Sequence, residues 1–438
     1  MTKILEDARR CWDAAIAAVD PGKAVKKTVR HDGEYLHISD FILNIPSDAA
    51  LKAPTKSLHA VALGKASITM VEAFLEMAGG LVRHTLIIHP ANIAWRNHSP
   101  NTETIAAGHP LPDFGSLNAG KRLLDLADSL DENDLLALLI SGGGSSLACA
   151  PADGISLEDK IGTTQALLLA GVDIRALNSV RKHISAIKGG RLAQRAAPAK
   201  IIPLYISDVI GDDPSVIASG PVAPDETTYA EALDVCGKAD IPKSVINLLE
   251  RGASGLLPET PKPGNPVFDN IKNVVIASNH HALTGAAREA TLLGYKATIL
   301  TDRLEGEARA VGKQLAAILK SSKENVFIAA GGETTVTVTG AGKGGRNQEL
   351  ALAAAIELEG CDGCLIWSAG TDGIDGTTDA AGAWADGSTV KTARKLGLSP
   401  EDFLKRNDSY RFFERVGGLI RTGPTGTNVM DIIFLVKQ

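Results

Sequence analysis

The chain has 438 residues, 44% of them hydrophobic and only 4% aromatic, so its core has to be built from Ala, Val, Ile and Leu, and two domains are the prior for this length. Its 45 Lys and Arg stand against 51 Asp and Glu, a net charge of -6 with no run of five or more like charges, which argues against a nucleic-acid or anionic-membrane binder. Charges interleave through MTKILEDARRCWDAAIAAVD, no apolar stretch reaches the ~20 residues that span a bilayer, and the cysteines at 11, 149, 236, 361 and 364 make no disulfide framework; a cytoplasmic protein acting on small molecules is expected.

Helical spacing of apolar residues from Leu5 to Val19 predicts a first helix, and a second starts at Lys65 and runs through MVEAFLEM, with a strand between them. Eight short apolar runs then recur, each closed by a polar or glycine turn: HAVALGKAS, TLIIHP, DLLALLISGGGSS, IIPLYISD, NVVIASNHH, KATILTD, VFIAAGGE and CLIWSAGTDG. Continuous rather than alternating apolar runs suggest parallel strands covered on both faces, an α/β fold. The runs TTVTV and MDIIFLVK are β-branched and are expected as antiparallel additions to the second sheet. Pro and Gly concentrate in ERGASGLLPETPKPGNPV (250–267), which divides the chain into an N-terminal domain (1–255), a linker (256–267) and a C-terminal domain (268–438).

Lys65 follows HAVALG, which places its ammonium just past a strand, where it can neutralise a transferring phosphoryl group. GSLNAGKR (115–122) has Walker-like spacing, but Arg122 stands where Ser or Thr belongs, and the segment reads as an amphipathic helix. From DLLALLI the chain runs straight into Ser141, Gly142, Gly143, Gly144, Ser145 and Ser146. Three consecutive glycines admit a bulky anion close to the backbone, so a phosphate cradle at the carboxyl end of a strand is favoured over a plain turn. In DIRALNSVRKHISAIKGGRL, positions 178, 181, 185 and 188 share one helix face, so Asn178, Arg181, Ser185 and Lys188 together suit a phosphorylated or carboxylate ligand.

Asp208, Asp212 and Asp213 follow the strand IIPLYIS, and Asp372, Asp375 and Asp379 follow CLIWSAG. Carboxylates at strand tips serve as Mg²⁺ ligands, as a general base, or simply as turn caps. Cys361 and Cys364 form a lone CxxC, which reads as structural. GAGKGGRN holds GxGxxG as Gly340, Gly342 and Gly345, together with Lys343, Arg346 and Asn347. A lone GxGxxG is by default a flexible turn with no ligand, and a dinucleotide site is weakly supported because the preceding run reads as hairpin material; the two cations, the amide and the backbone N–H groups raise the case for an anion.

SGGGSSL, NSVRKHISAIKGGRLA, SDVIGDDPSVIASGP, GGRNQELAL and SAGTDGIDGTTDAAGA, in that order, resemble the class II glycerate kinases, whose C-terminal part is the MOFRL domain. The likeness extends from GHPLPD (108–113) to GPTGTNVMD (423–431). It implies two α/β domains, the larger N-terminal one Rossmann-like and the smaller C-terminal one built on a mixed sheet, with the active site in the interdomain cleft. It also implies transfer of a phosphoryl group from ATP, with Mg²⁺, to D-glycerate, giving 2-phosphoglycerate. Lys65 and Arg346 fall on the family's active-site cations, which makes GAGKGGRN a phosphate and substrate loop. On this reading Ser141 to Ser146, with Asn178 and Lys188, surround the nucleotide phosphates. Arg181 or Arg346, with Asn347, holds the glycerate carboxylate. Asp208 is base or metal ligand, and Asp372 is a second metal carboxylate. Two alternatives stay open, an NAD(P)H-dependent hydroxypyruvate reductase and a non-catalytic sugar-acid or nucleotide-binding protein, as does assembly into a homodimer.

Overall fold

A computed structural model describes residues 2–33, 35–44, 57–93, 95 and 101–438. Strands β1 (Val29–His31), β2 (Tyr35–Ile38) and β3 (Phe41–Asn44) form a small antiparallel sheet. Strands β4 (Leu58–Leu63), β5 (Val82–Pro90), β6 (Thr102–Ala107), β7 (Leu135–Ile140), β8 (Lys200–Ile206) and β9 (Val274–Ala277) build a six-stranded sheet in the order β6-β5-β4-β7-β8-β9. Within it β4 is parallel to β5 and β7, β5 to β6, and β7 to β8. Counted within the sheet the order is 3-2-1-4-5-6, the doubly wound nucleotide-binding arrangement, which reverses direction between β4 and β7. All six residues of β7 are buried, as a strand covered on both faces requires. Leu63 of β4 sits opposite Ile140 of β7, so the two strands end level, and the turns that follow them leave the sheet side by side.

The second sheet is mixed. Strands β10 (Lys296–Leu304), β11 (Val326–Gly332), β12 (Cys364–Gly370), β13 (Gly382–Asp386), β14 (Leu419–Ile420) and β15 (Asp431–Lys437) adopt the order β10-β11-β15-β12-β13-β14. Only β10 and β11 are parallel; β15 inserts antiparallel to both β11 and β12. The expected addition by MDIIFLVK is therefore a central strand. TTVTV, by contrast, makes only a single bridge, Glu307 with Thr335. The continuous apolar run of β12 reported burial on both faces correctly, yet its neighbours are antiparallel, because burial does not encode strand direction.

The structure divides into one unit of Pro21–Ile206 with Asp212–Ile276 and another of Met1–Asp20, Ser207–Gly211 and Ala277–Gln438. This differs from a division at 256–267. Helix Lys3–Ala18 groups with the C-terminal residues: its buried Trp12 lies 6.0 Å from Trp367 of β12, and Gly285 is a glycine because a Cβ there would meet the Ala14 carbonyl at 2.9 Å. Helical periodicity gives the buried face but not what covers it. Nor is 250–267 an open linker, since Thr260 is 1% exposed and donates to Asp225, and Glu259 accepts from the Tyr229 N–H. The Walker-like glycines, Gly115 and Gly120, both lie within helix Phe114–Asp128, packed on the Ala106 and Cys149 carbonyls, and Arg122 makes a two-point pair with Glu103. All five cysteines are free thiols. No described helix is long and apolar enough to cross a membrane.

Candidate active site

At the point where the parallel sheet changes direction, the turns after β4 and β7 interlock. The Lys65 N–H donates to Gly142 O at 2.9 Å, and the Ala66 N–H donates to Ser141 Oγ at 3.0 Å. Gly64 is at φ +130°, and a Cβ there would meet the Ser141 carbonyl oxygen at 2.5 Å, so only glycine allows the crossing. Gly143, at φ +86°, leaves room for the His109 ring and the Lys65 stem. The Lys65 side chain is exposed and has no ion pair among the described residues, and the N–H groups of Gly142 and Gly143 donate to no described acceptor. His109 was not singled out from the sequence, although it lies inside GHPLPD. Partial burial, with the charge on Lys65, holds its imidazole below the usual range.

The serines divide their work. Ser141 Oγ accepts the Ala66 N–H, which braces the β4 turn and leaves its own O–H uncommitted, whereas Ser146 Oγ donates to Gly143 O at 3.1 Å and would have to change partner to serve a ligand. Ser145 Oγ receives hydrogen bonds from Lys188 Nζ at 2.8 Å and from the Arg181 guanidinium, and lies 3.0 Å from Ser219 Oγ. Asn178 Oδ1 accepts from Arg181 at 3.2 Å. Ala218 and Ser219 have φ of 51° and 62°, two non-glycine residues in the left-handed region, which stores strain beside this cluster. Nothing in the sequence of 218 and 219 signals that conformation. Asn178, Arg181 and Lys188 are thus gathered with Ser145 in the same unit as Lys65.

Arg346, Asn347, Asp208 and Asp372 belong to the other unit. Arg346 begins helix Arg346–Glu357 and grips Asp431 at two points, Nε to Oδ2 at 2.5 Å and Nη2 to Oδ1 at 3.1 Å, with Nη1 2.7 Å from Glu333. Burial alone would lower its pKa, but the hydrogen bonds and charge of Asp431, with the charge of Glu333, raise it. Asp208 is near enough to help raise the Glu333 pKa, behind burial as the main cause. Asn347 does not line an open loop. It is 1% exposed, its Oδ1 accepts from Ser368 at 2.6 Å, and its N–H goes to Asp375. Asp372 Oδ1 accepts from the Ile374 N–H, a turn cap.

The loop 336–345 also departs from expectation. Several of its N–H groups are engaged: Thr339 and Gly340 donate to Asn407 Oδ1, Gly342 to Arg406 O and Lys343 to Asp408 Oδ1, while Lys343 Nζ lies over the Tyr410 ring; those of Gly344 and Gly345 donate to no described acceptor. A Cβ at Gly340 or Gly342 would strike the backbone of 406–407. Gly340 and Gly342 thus permit a close approach of two backbones, and no strand leads into them.

Asp375 is 2% exposed and accepts the N–H groups of Asn347 at 3.2 Å and Gln348 at 2.9 Å, closing the start of their helix. Burial, reinforced by Asp431 and opposed by those N–H groups, pushes its pKa up to about 7. The folded protein therefore holds this proton more tightly than the unfolded chain, and the group's contribution to stability is lost as pH rises toward and through about 7. Asp375→Asn is expected to flatten the fall of thermal midpoint between pH 5 and pH 8 by an amount on the order of a few kcal/mol in stability. Parallel midpoint curves for parent and variant would rule out this titration.

Among the described residues, no three His, Cys, Asp or Glu gather as a metal-binding group.

Residues 7–250 match a family described as a domain of unknown function, DUF4147, and residues 326–431 match the MOFRL family. A D-glycerate 2-kinase of Thermotoga maritima is 42% identical over 429 residues, 96% of this chain and 95% of that protein. A putative hydroxypyruvate reductase of Agrobacterium vitis is 38% identical, over 97% of this chain and 92% of its own length. The crystal structure of a glycerate kinase from Thermotoga maritima superposes with a TM-score of 0.85 at 39% identity, over 99% of both chains. The chain belongs to the glycerate 2-kinase family, in which a DUF4147 region precedes a MOFRL region.

Proposed function

We propose that the chain is a glycerate 2-kinase that transfers the γ-phosphoryl group of ATP to the 2-hydroxyl of D-glycerate, releasing ADP and 2-phosphoglycerate. The observation that carries this reading is the pair of unengaged N–H groups, Gly142 and Gly143, beside the unpaired Lys65 at the switch point of the parallel sheet. Phosphoryl transfer asks a protein mainly to position its reactants and to neutralise charge, and that turn offers backbone donors and a mobile cation together. The substrate hydroxyl attacks phosphorus as the bond to the ADP oxygen breaks, and its proton passes to a base, a role Asp208 fills where it is not instead the Mg²⁺ ligand. Lys65 offsets negative charge on the moving group. Arg346 has five N–H donors, of which the contacts to Asp431 and Glu333 account for three, and the remainder suit the glycerate carboxylate. Mg²⁺ supplies charge neutralisation on the nucleotide. Such ions rest mostly on phosphates and water with one or two carboxylates, a demand that Asp208, with Asp372 as the second candidate, fits despite the absence of a larger acidic group among the described residues.

A reductase needs a dinucleotide loop after the first strand of its sheet, and the turn after β4 reads Gly64-Lys65-Ala66-Ser67-Ile68-Thr69, with one glycine. The deciding assay supplies D-glycerate, ATP and Mg²⁺, follows ADP, and identifies the phosphoglycerate isomer, beside NAD(P)H with hydroxypyruvate. Glycerate-dependent ADP release with 2-phosphoglycerate as product is expected. Oxidation of NAD(P)H without ADP release would replace the kinase by the reductase.

A further inference from the structure

Three cations from consecutive segments surround one small cavity. Lys160 comes from helix Leu157–Leu169, Arg181 from helix Ile174–His183 and Lys188 from the turn beyond it; with Ser145, Ser146 and Thr164 they line a cavity of about 70 Å³. Lys188 is 2% exposed and Lys160 is 6% exposed. Their contacts are all neutral. Lys188 Nζ reaches Ser145 O and Oγ, each at 2.8 Å; Lys160 Nζ finds only the Ile184 carbonyl at 3.5 Å; Arg181 holds Asn178 and Ser145. None of the three has a carboxylate ion pair among the described residues, whereas Lys182, on the same helix, pairs with Asp225 at 3.1 Å. A fold that needs a buried charge for its own stability pairs it, as at Lys182, because an unpaired one costs several kcal/mol.

The electrostatics agree with the geometry. Burial, then repulsion from Arg181 and Lys160, drives the Lys188 ammonium well below its usual pKa, and burial brings Lys160 down to about 8. The titratable groups around Lys188 are Arg181, Lys160 and the thiol of Cys149, none of them a carboxylate. The cavity exceeds several-fold the ~10–15 Å³ that admits one water and falls far below the ~300 Å³ of a pocket for a whole drug-sized ligand. That is room for a single tetrahedral oxyanion, not for a ribose or a base.

We propose that Lys160, Arg181 and Lys188, with the Ser145 hydroxyl, form an oxyanion site for one phosphate dianion, supplied by either the nucleotide or the phosphorylated product of the reaction. The source of the phosphate rests on the kinase reading, but the binding can be measured without turnover. Lys160 is the added element, because its sequence setting in SLEDKIGTT reads as an ordinary helix surface.

The test is isothermal titration of the full chain with inorganic phosphate at pH 8, in two buffers of different ionisation enthalpy. One phosphate per chain is expected, with proton uptake, since an entering dianion restores the ammonium form of lysines whose pKa burial had lowered. Lys160→Gln should weaken phosphate at least tenfold, and Lys160→Arg, which keeps the charge, should recover most of that loss. Absence of phosphate binding, or equal affinity in Lys160→Gln, overturns the site. Competition then separates the sources: displacement by ATP identifies the nucleotide, displacement by 2-phosphoglycerate identifies the product, and displacement by neither overturns the assignment. Lys160-dependent phosphate binding in a chain that releases no ADP with glycerate would refute the kinase reading while leaving the anion site standing.

Discussion

Lys65→Ala is expected to lower glycerate-dependent ADP release by about 10²–10³-fold, the magnitude seen when one preorganised charge-stabilising group is removed from a reacting centre. The loss should fall on kcat and kcat/KM together, because the ammonium is proposed to act on charge that develops during transfer. Stability should hardly change. The Lys65 side chain is exposed, and the bond that locks its turn, N–H to Gly142 O, belongs to the backbone and survives the substitution. The His109 imidazole, held down first by burial and then by this ammonium, should regain some basicity when the ammonium is gone. Lys65→Arg keeps the charge but changes its shape and reach, so partial recovery separates a need for positive charge from a need for the compact ammonium. Turnover within tenfold of the parent in Lys65→Ala, measured with the thermal midpoint unchanged, would remove this residue from the chemistry.

The turn that carries Lys65 was legible in the sequence because its features are local. A continuous apolar run ending in a glycine, and a second ending in Ser141 to Ser146, can each be read alone as a strand tip, and the 3-2-1-4-5-6 order then places both at the switch point. All eight of the quoted apolar runs are strands. Strand direction was read correctly in the first sheet, where β4, β5, β7 and β8 are parallel, but not for β12, and pairing was not legible, because it depends on partners far away in sequence. Thus β6, from the polar TETIAA, was missed, and β15 lies between β11 and β12 although its residues follow both. The same limit governs the site. Nothing near Arg346 announces that Asp431, 85 positions on, will occupy its guanidinium, and the glycines at 340 and 342 look like a ligand loop until the backbone of 406–407 is placed against them. Lys160 escaped notice because a lysine among Glu158, Asp159 and Lys160 has the composition of a solvated surface, and only the packing of later helices buries it.

Arg346→Ala is expected to be both inactive and markedly unstable, which distinguishes it from the Lys65 substitution. Asp431 is 2% exposed on its side chain, and without the two-point grip its carboxylate would stay buried near Asp375 and Glu333 with no cation. Breaking a buried pair by removing one partner costs about 3–5 kcal/mol, chiefly because the remaining charge is uncompensated. If that is the origin of the loss, removing the orphaned charge should restore stability: Asp431→Asn introduced into Arg346→Ala should recover most of the midpoint measured by urea unfolding, so that the two substitutions are strongly non-additive. Activity should not return with it, since the two donors of Arg346 that the described contacts leave over go with the guanidinium. Arg346→Lys keeps the charge and should retain much of the stability, yet a single ammonium cannot reproduce the fork that meets both Asp431 oxygens and Glu333 at once. A normal urea midpoint for Arg346→Ala would show that Asp431 and Glu333 do not depend on this arginine. The guanidinium would then be held in place for a ligand alone, and the pairing with Asp431 would be its resting state in the absence of glycerate.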